Sequence, residues 1–372
     1  MLILVLALVS CAHESDVGGP LQVQLIQSVG PRCQYTIAPT TIQTLDSLTE
    51  MRGKLGIVVT SALNLGSQPD LLNYAIGFQT VDSQFLKSGN DYYPTDFTSL
   101  FAASLYYAVE TGYFLHAKLN PEADFVKTVP GFAAKTLMVY NAIDSDGTDG
   151  DVIIDNAEYL PHSIGNTGLT DRNYIFSYPN DSRVQMPLGL NLGIMVHEYT
   201  HLVFNYLFFE KMVTRGETLS SSPENPTEST LSAVNEGLAD YFGFVAAKDP
   251  SYFLCSFPSQ DRDLSIPKYL TAELRSQLSL AASDPTSPFD PHVVGAVFAA
   301  INYEIGNAIG HEENARTLSS LIATLLDCAG ARGQGSIALN FDTVVRCHVA
   351  VGGAHSTTIQ QIYQSRISGR NP

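Results

Sequence analysis

The sequence predicts an α+β protein in two lobes, a mixed sheet-and-helix lobe followed by a mainly helical one. Three observations point there. Short β-type runs and one long helix share the first half; helical spacing is nearly unbroken from residue 231 onward; and a very apolar helix joins the halves, carrying His197-Glu198-Tyr199-Thr200-His201. With 372 residues, 45% apolar and 15% charged, the chain can bury a large core and is not compositionally disordered. A formal charge of −17 excludes a nucleic-acid partner, because no basic block is present to neutralise a run of phosphates. A soluble, monomeric acidic protein is expected.

The elements follow in order. Residues 1–11 read as an export signal: Leu2 to Val9 is continuously apolar but too short to span a bilayer, and Leu8-Val9-Ser10-Cys11 resembles a bacterial lipobox with Cys11 as the lipidated residue. Basic residues ahead of the apolar run are missing, Arg32 being the first Lys or Arg. Ala12 stands where Asp is absent, which in such lipoproteins implies the outer membrane. The expected location is thus an outer-membrane-anchored lipoprotein or, with ordinary signal cleavage, a secreted protein, and the lipid is its only membrane contact. Residues 12–45, rich in Gln, Thr and Pro, suit an extension or tether. The N-terminal α+β lobe is expected over 46–215, with strands at Leu55–Thr60, Leu137–Tyr140 and Tyr174–Tyr178 and a helix from Asp96 to about Leu119. Leu188 to about Met212 is the apolar motif helix, and Arg215–Glu228 reads as a Ser/Pro-rich surface loop. The C-terminal lobe, 216–372, should hold helices near 231–247, 268–281, 292–309, 311–328 and 356–367.

Two features outside the motif bear on ions and redox state. Asp144, Asp146, Asp149 and Asp151 cluster with intervening glycines and can wrap a hard cation such as calcium. Their spacing misses the EF-hand pattern, so a solvated acidic turn is the competing reading. Beyond Cys11, four cysteines permit two disulfides in three connectivities, and Cys328–Cys347, bracketing one loop, is the expected pair.

The pentad carries the chemistry. Four residues apart on a helix, His197 and His201 share one face, so both imidazoles can reach one metal ion. Glu198 projects beside them, placed to take a proton from water at the metal. From 9 His and 37 acids, chance yields about 0.02 such patterns in this chain, so a coincidence of core histidines is the weaker reading. Catalytic zinc needs three protein ligands and an open position. Phe204 and Leu207 occupy the places where a metzincin has Gly and His, which excludes that class. A second helix offers Asn235-Glu236-Gly-Leu-Ala-Asp240: Glu236 as third ligand, and Asp240, on the same face, holding a ligand histidine by its other ring nitrogen. Polar groups in so apolar a helix are costly without partners, which asks for a site there.

HEYTH followed by LSAVNEGLADYFG resembles the thermolysin-like gluzincin zinc peptidases, over about residues 188–310. The resemblance implies a two-lobed fold with the motif helix at the lobe junction, one zinc ion, and endopeptidase activity on extended polypeptides with Glu198 as general base. Asn235 and Asp240 flank the ligands as the family expects. Pro291-His292-Val-Val-Gly-Ala-Val-Phe-Ala is similar to the later histidine segment in its fungalysin form and makes His292 a donor to the oxyanion. Asn156-Ala157 and Asn141-Ala142 both match the Asn-Ala that binds substrate backbone. Thr227 stands where thermolysin has a catalytic tyrosine. Two rivals remain: an aminopeptidase on the same zinc site, which needs an acid to recognise a free amine, and an inactive metal- or partner-binding lipoprotein.

Overall fold

The computed structural model describes residues 19–30, 33–61, 78–142, 156–161, 172–179, 186–258, 262–284, 289–330 and 335–367. Cys11 and the acidic cluster Asp144, Asp146, Asp149 and Asp151 lie outside the described residues. The fold is mixed α+β, as expected.

Two sheets occupy the first half. Strands β1 (Leu21–Gly30), β2 (Gln34–Ile42), β7 (Phe85–Ser88) and β8 (Asp91–Pro94) form one, in the order β2-β1-β8-β7. The expected tether over 12–45 is therefore corrected: from residue 21 it is a hairpin in the fold. Leu21, Val23 and Leu25 alternate with Gln22 and Gln24, the period of a half-buried strand, and all three leucine and valine side chains are buried. The second sheet contains β3 (Leu45–Ser47), β4 (Arg52–Gly53), β5 (Gly56–Ser61), β6 (Phe78–Thr80), β9 (Thr136–Tyr140), β10 (Ala157–Leu160) and β11 (Asn173–Ser177). Its order is β10-β11-β9-β5-β4-β3, with β6 beside β5. Strands β5, β9 and β11 run parallel, and β10 closes one edge antiparallel to β11.

Helix α1 (Phe97–Leu119) crosses between the first sheet and the motif helix, its N-terminus capped by Asp96, which accepts from Ser99 N at 2.8 Å. Midway along it, the buried Glu110 carboxylate accepts from the backbone N–H groups of Gln43 and Thr44, stapling the helix to the chain leaving β2. The expected single helix over 188–212 is instead interrupted. A 3-10 turn, Leu188–Leu190, stops at Asn191, which caps α2 (Leu192–Phe204), and a π-helical turn, Asn205–Phe209, precedes a last helical turn to Thr214. Helices α3 (Thr227–Ala247), α4 (Ala272–Ser283), α5 (Pro291–Ile309), α6 (His311–Cys328), α7 (Phe341–Val351) and α8 (Ser356–Ile367) complete the chain. The helix α7 escapes the sequence reading, as do the short helices Phe125–Thr128 and Phe132–Lys135. The buried face of α7, Phe341, Val344, Cys347 and His348, does follow helical spacing. The segment 215–228 is less loop-like than expected, because Thr218–Leu219 pairs in parallel with Ser336–Ile337 and Glu217 is buried.

The most extensive of three buried clusters runs from Leu21 to Tyr363 and spans both halves. Two disulfides brace the fold. Cys328–Cys347 is the expected pair, and Cys33–Cys255 ties the start of β2 to a 3-10 turn at Tyr252–Cys255. Among the described residues, no helix is long and apolar enough to cross a membrane.

Two buried histidines give the fold a pH dependence. His116 Nε2 lies 3.1 Å from Thr200 Oγ1, and His348 bridges Thr317 and Tyr363 at 3.0 Å each. Burial pushes both imidazoles down to about 3. An unfolded histidine protonates near 6.5, so between about pH 6.5 and 3 the unfolded chain binds protons that the folded chain refuses. Stability is present above that window and is lost as pH falls through it, at about 1.4 kcal/mol per pH unit for each histidine. Urea unfolding at stepped pH should show this slope, and His348→Gln should reduce it by its share.

Candidate metal centre

The site is built by the crossing of three helices. Asn191 fixes where α2 begins: its side chain accepts from Ile194 N and donates to Tyr252 O and Ser256 Oγ, both at 2.9 Å. One turn further on, the helical spacing stacks His197 over His201, with their Nε2 atoms 3.0 Å apart. Helix α3 brings Glu236 against them, Oε2 at 3.3 Å from His197 Nε2 and Oε1 at 3.7 Å from His201 Nε2. These three side chains can hold a metal ion. With these separations of 3.0 to 3.7 Å, one small cation can touch all three side chains. Glu236 Oε2 and His201 Nδ1 are buried without a hydrogen bond, and an ion between the ligands would satisfy the carboxylate oxygen.

Backbone contact sets the third helix. A Cβ on Gly237 would lie 2.5 Å from Gly295 O, and one on Gly295 would lie 2.6 Å from Glu236 Cβ. Only glycine at both positions lets α3 and α5 approach this closely. The approach carries His292, in the first turn of α5, to the centre: its Nε2 is 3.3 Å from Glu236 Oε2, and its Nδ1 is held by Asp290 at 2.7 Å.

Behind the ligands, Asp240 lies fully buried with Oδ1 3.0 Å from His197 Nδ1. Asp240 also pairs with Arg262, which lies flat over the Phe253 ring at 3.7 Å from its centroid. Nothing in the sequence marks Arg262; it sits in a polar stretch distant from every motif. Asn235 lies beside the His201 ring, though its Oδ1 has no hydrogen bond.

The electrostatics follow from burial and these partners. Burial opposes a charge on His197, but Asp240 and Glu236 outweigh it and raise its pKa to about 9. Burial, only partly offset by Glu236, lowers His201 to about 4. For Glu236 and Asp240 burial is again overcome, by the histidines in one case and chiefly by Arg262 in the other, and both stay ionised well below the usual carboxylate range. Glu198 differs. Its Oε1 is 4.0 Å from His197 Nε2, and burial, with the Glu236 and Glu158 charges adding to it against His197, raises it to about 7.

His197, His201, Glu236 and Glu198 face one cavity of about 380 Å³, with Asp240 and Arg262 behind them. It is lined by His197, Glu198, His201, Asn235, Glu236 and His292, by Asn205 and Phe209 of the π turn, and by residues 156–159 of the β10 edge. Of the two Asn-Ala pairs, Asn156-Ala157 therefore reaches the site; Ala142 is buried in a separate cluster behind β9. Thr227 is not on the cavity wall. It is buried at the start of α3, donating to Ser220 O at 2.6 Å and accepting from Leu339 N at 3.0 Å, a structural anchor. No protein-family model matches this chain, and comparison with curated proteins finds no match either.

Proposed function

We propose that the chain is a zinc-dependent endopeptidase of the two-lobed, thermolysin-like build, hydrolysing internal bonds of extended polypeptides. The observation that carries this reading is Glu198. Holding a metal requires His197, His201 and Glu236, yet a fourth side chain, the acidic Glu198, is buried beside them, 4.0 Å from a His197 ring nitrogen and outside the ligand group. That is the place of a general base.

Zinc bound to these ligands supplies a Lewis acid for the scissile carbonyl and lowers the pKa of a water. Glu198 takes the proton of the attacking water and passes it to the leaving amide nitrogen. His292, its ring fixed through Nδ1 by Asp290, turns Nε2 into the cavity, where it can hydrogen-bond the carbonyl oxygen as charge develops. Asp240 keeps His197 oriented, and Arg262 keeps Asp240 ionised. The β10 edge pairs with no further described strand, so a substrate can add to it as an extended segment along the cavity. Two disulfides support an oxidising, exported location, consistent with the lipoprotein or secreted reading of the N-terminus.

The test is cleavage of an unfolded polypeptide by the purified protein. Cleavage should disappear with a chelator and return on adding one equivalent of zinc. One bound zinc with no cleavage of any peptide library would leave the inactive metal-binding reading in its place.

A further inference from the structure

Asn205 opens the π turn that follows the motif helix, one turn beyond His201. Its backbone carbonyl accepts from the Glu210 N–H, five residues on, and such wider turns recur at functional sites. The side chain lines the metal cavity beside Phe209, although the residue is only 7% exposed. Nδ2 is buried there without a hydrogen-bond partner among the described residues. Tyr159 of β10 stands next to it, but the Tyr159 hydroxyl already donates to Asn173 Oδ1 at 2.9 Å. That hydroxyl has at most a lone pair to offer, whereas an amide nitrogen carries two N–H donors. At least one donor of Asn205 is therefore left on the cavity wall. A buried donor without a match costs stability, and native proteins keep few of them.

Resting on the peptidase reading, we propose that Asn205 is a substrate-binding residue whose Nδ2 donates to an amide carbonyl oxygen of the polypeptide near the scissile bond. The oxygen belongs either to the main chain or to a Gln or Asn side chain, and both present the same neutral acceptor. A segment laid along the β10 edge runs past the wall that Asn205 and Phe209 build. There it displaces solvent from Nδ2, and affinity is kept only if the incoming group reproduces the hydrogen bond. A carbonyl does so; an apolar group in its place leaves the donor unpaired.

The experiment measures peptide binding to zinc-loaded Glu198→Gln protein, so that affinity is read without turnover, with and without Asn205→Leu. Leucine is about the size of asparagine but has no donor. Two N-acetylated, C-amidated peptides are compared, identical except for a central glutamine or norleucine. Asn205→Leu should weaken binding about ten-fold. Zinc content should be kept, and the urea midpoint should hold or rise, because an unmatched buried donor has been removed. Asn205→Ala, which cannot crowd its neighbours, should weaken binding in the same way. A loss confined to the glutamine peptide identifies a side-chain carbonyl; an equal loss for both peptides identifies the main chain. Unchanged affinity for both peptides overturns the proposal. So does a loss that appears only together with a fall in zinc content or in the urea midpoint, which would make Asn205 a structural residue. Absence of cleavage by the native protein, with the affinity loss intact, would remove the peptidase reading and keep Asn205 as a polypeptide contact. Failure of the parent protein to bind either peptide overturns both.

Discussion

Glu198→Gln should lower peptide cleavage by about a thousand-fold while leaving the zinc content of the protein unchanged. The amide has nearly the carboxylate's shape, so the packing around this buried side chain is preserved. It cannot accept a proton, so the water loses its base and the leaving nitrogen its acid. The three ligand atoms do not involve residue 198, which is why metal should stay. Activity measured beside metal content separates the two roles: loss of both would make Glu198 a ligand or a folding residue, and loss of neither would remove it from the chemistry. The same variant distinguishes an enzyme from a metal-binding relative that has no use for a base.

His201→Ala should lower zinc affinity by more than about a hundred-fold, exceeding the 10- to 100-fold typical of an outer-sphere change. It removes one of three donors, and the alanine leaves Glu236 facing His197 with an incomplete coordination set. Little stability should be lost with it, because His201 Nδ1 makes no hydrogen bond that the fold depends on. Asp240→Asn offers the contrast. Its effect on zinc should fall in the outer-sphere range, but it would strip Arg262, buried against Phe253, of its counter-charge. The first variant should thus fail in metal binding and the second chiefly in folding, which metal titration and urea unfolding of each will separate.

The centre was legible in the sequence because each part obeys a local rule. His197 and His201 are spaced by one helical turn, and so are Glu236 and Asp240, so periodicity alone places each pair on one face. What periodicity does not show is which helix faces meet. The crossing of α3 on α5 depends on two glycines whose significance appears only when the backbones touch, and it alone delivers His292 to Glu236. Arg262 was missed for a related reason, since it reaches the site through tertiary packing from a segment with no pattern of its own. The hairpin at 21–42 was misjudged because its composition was read and its alternation was not. Interruption of the motif helix by a π turn has no counterpart in the apolar pattern, which runs straight through Asn205–Phe209.

Whether His197, His201 and Glu236 form one zinc centre is tested most directly by an anomalous-scattering map of zinc-loaded crystals, recorded on both sides of the zinc edge. The expected result is a single full peak about 2.0–2.2 Å from His197 Nε2, His201 Nε2 and a Glu236 carboxylate oxygen, with Glu198 outside bonding distance and a position left open toward the cavity. No peak among these three side chains, or a fourth protein ligand closing the open position, would contradict it.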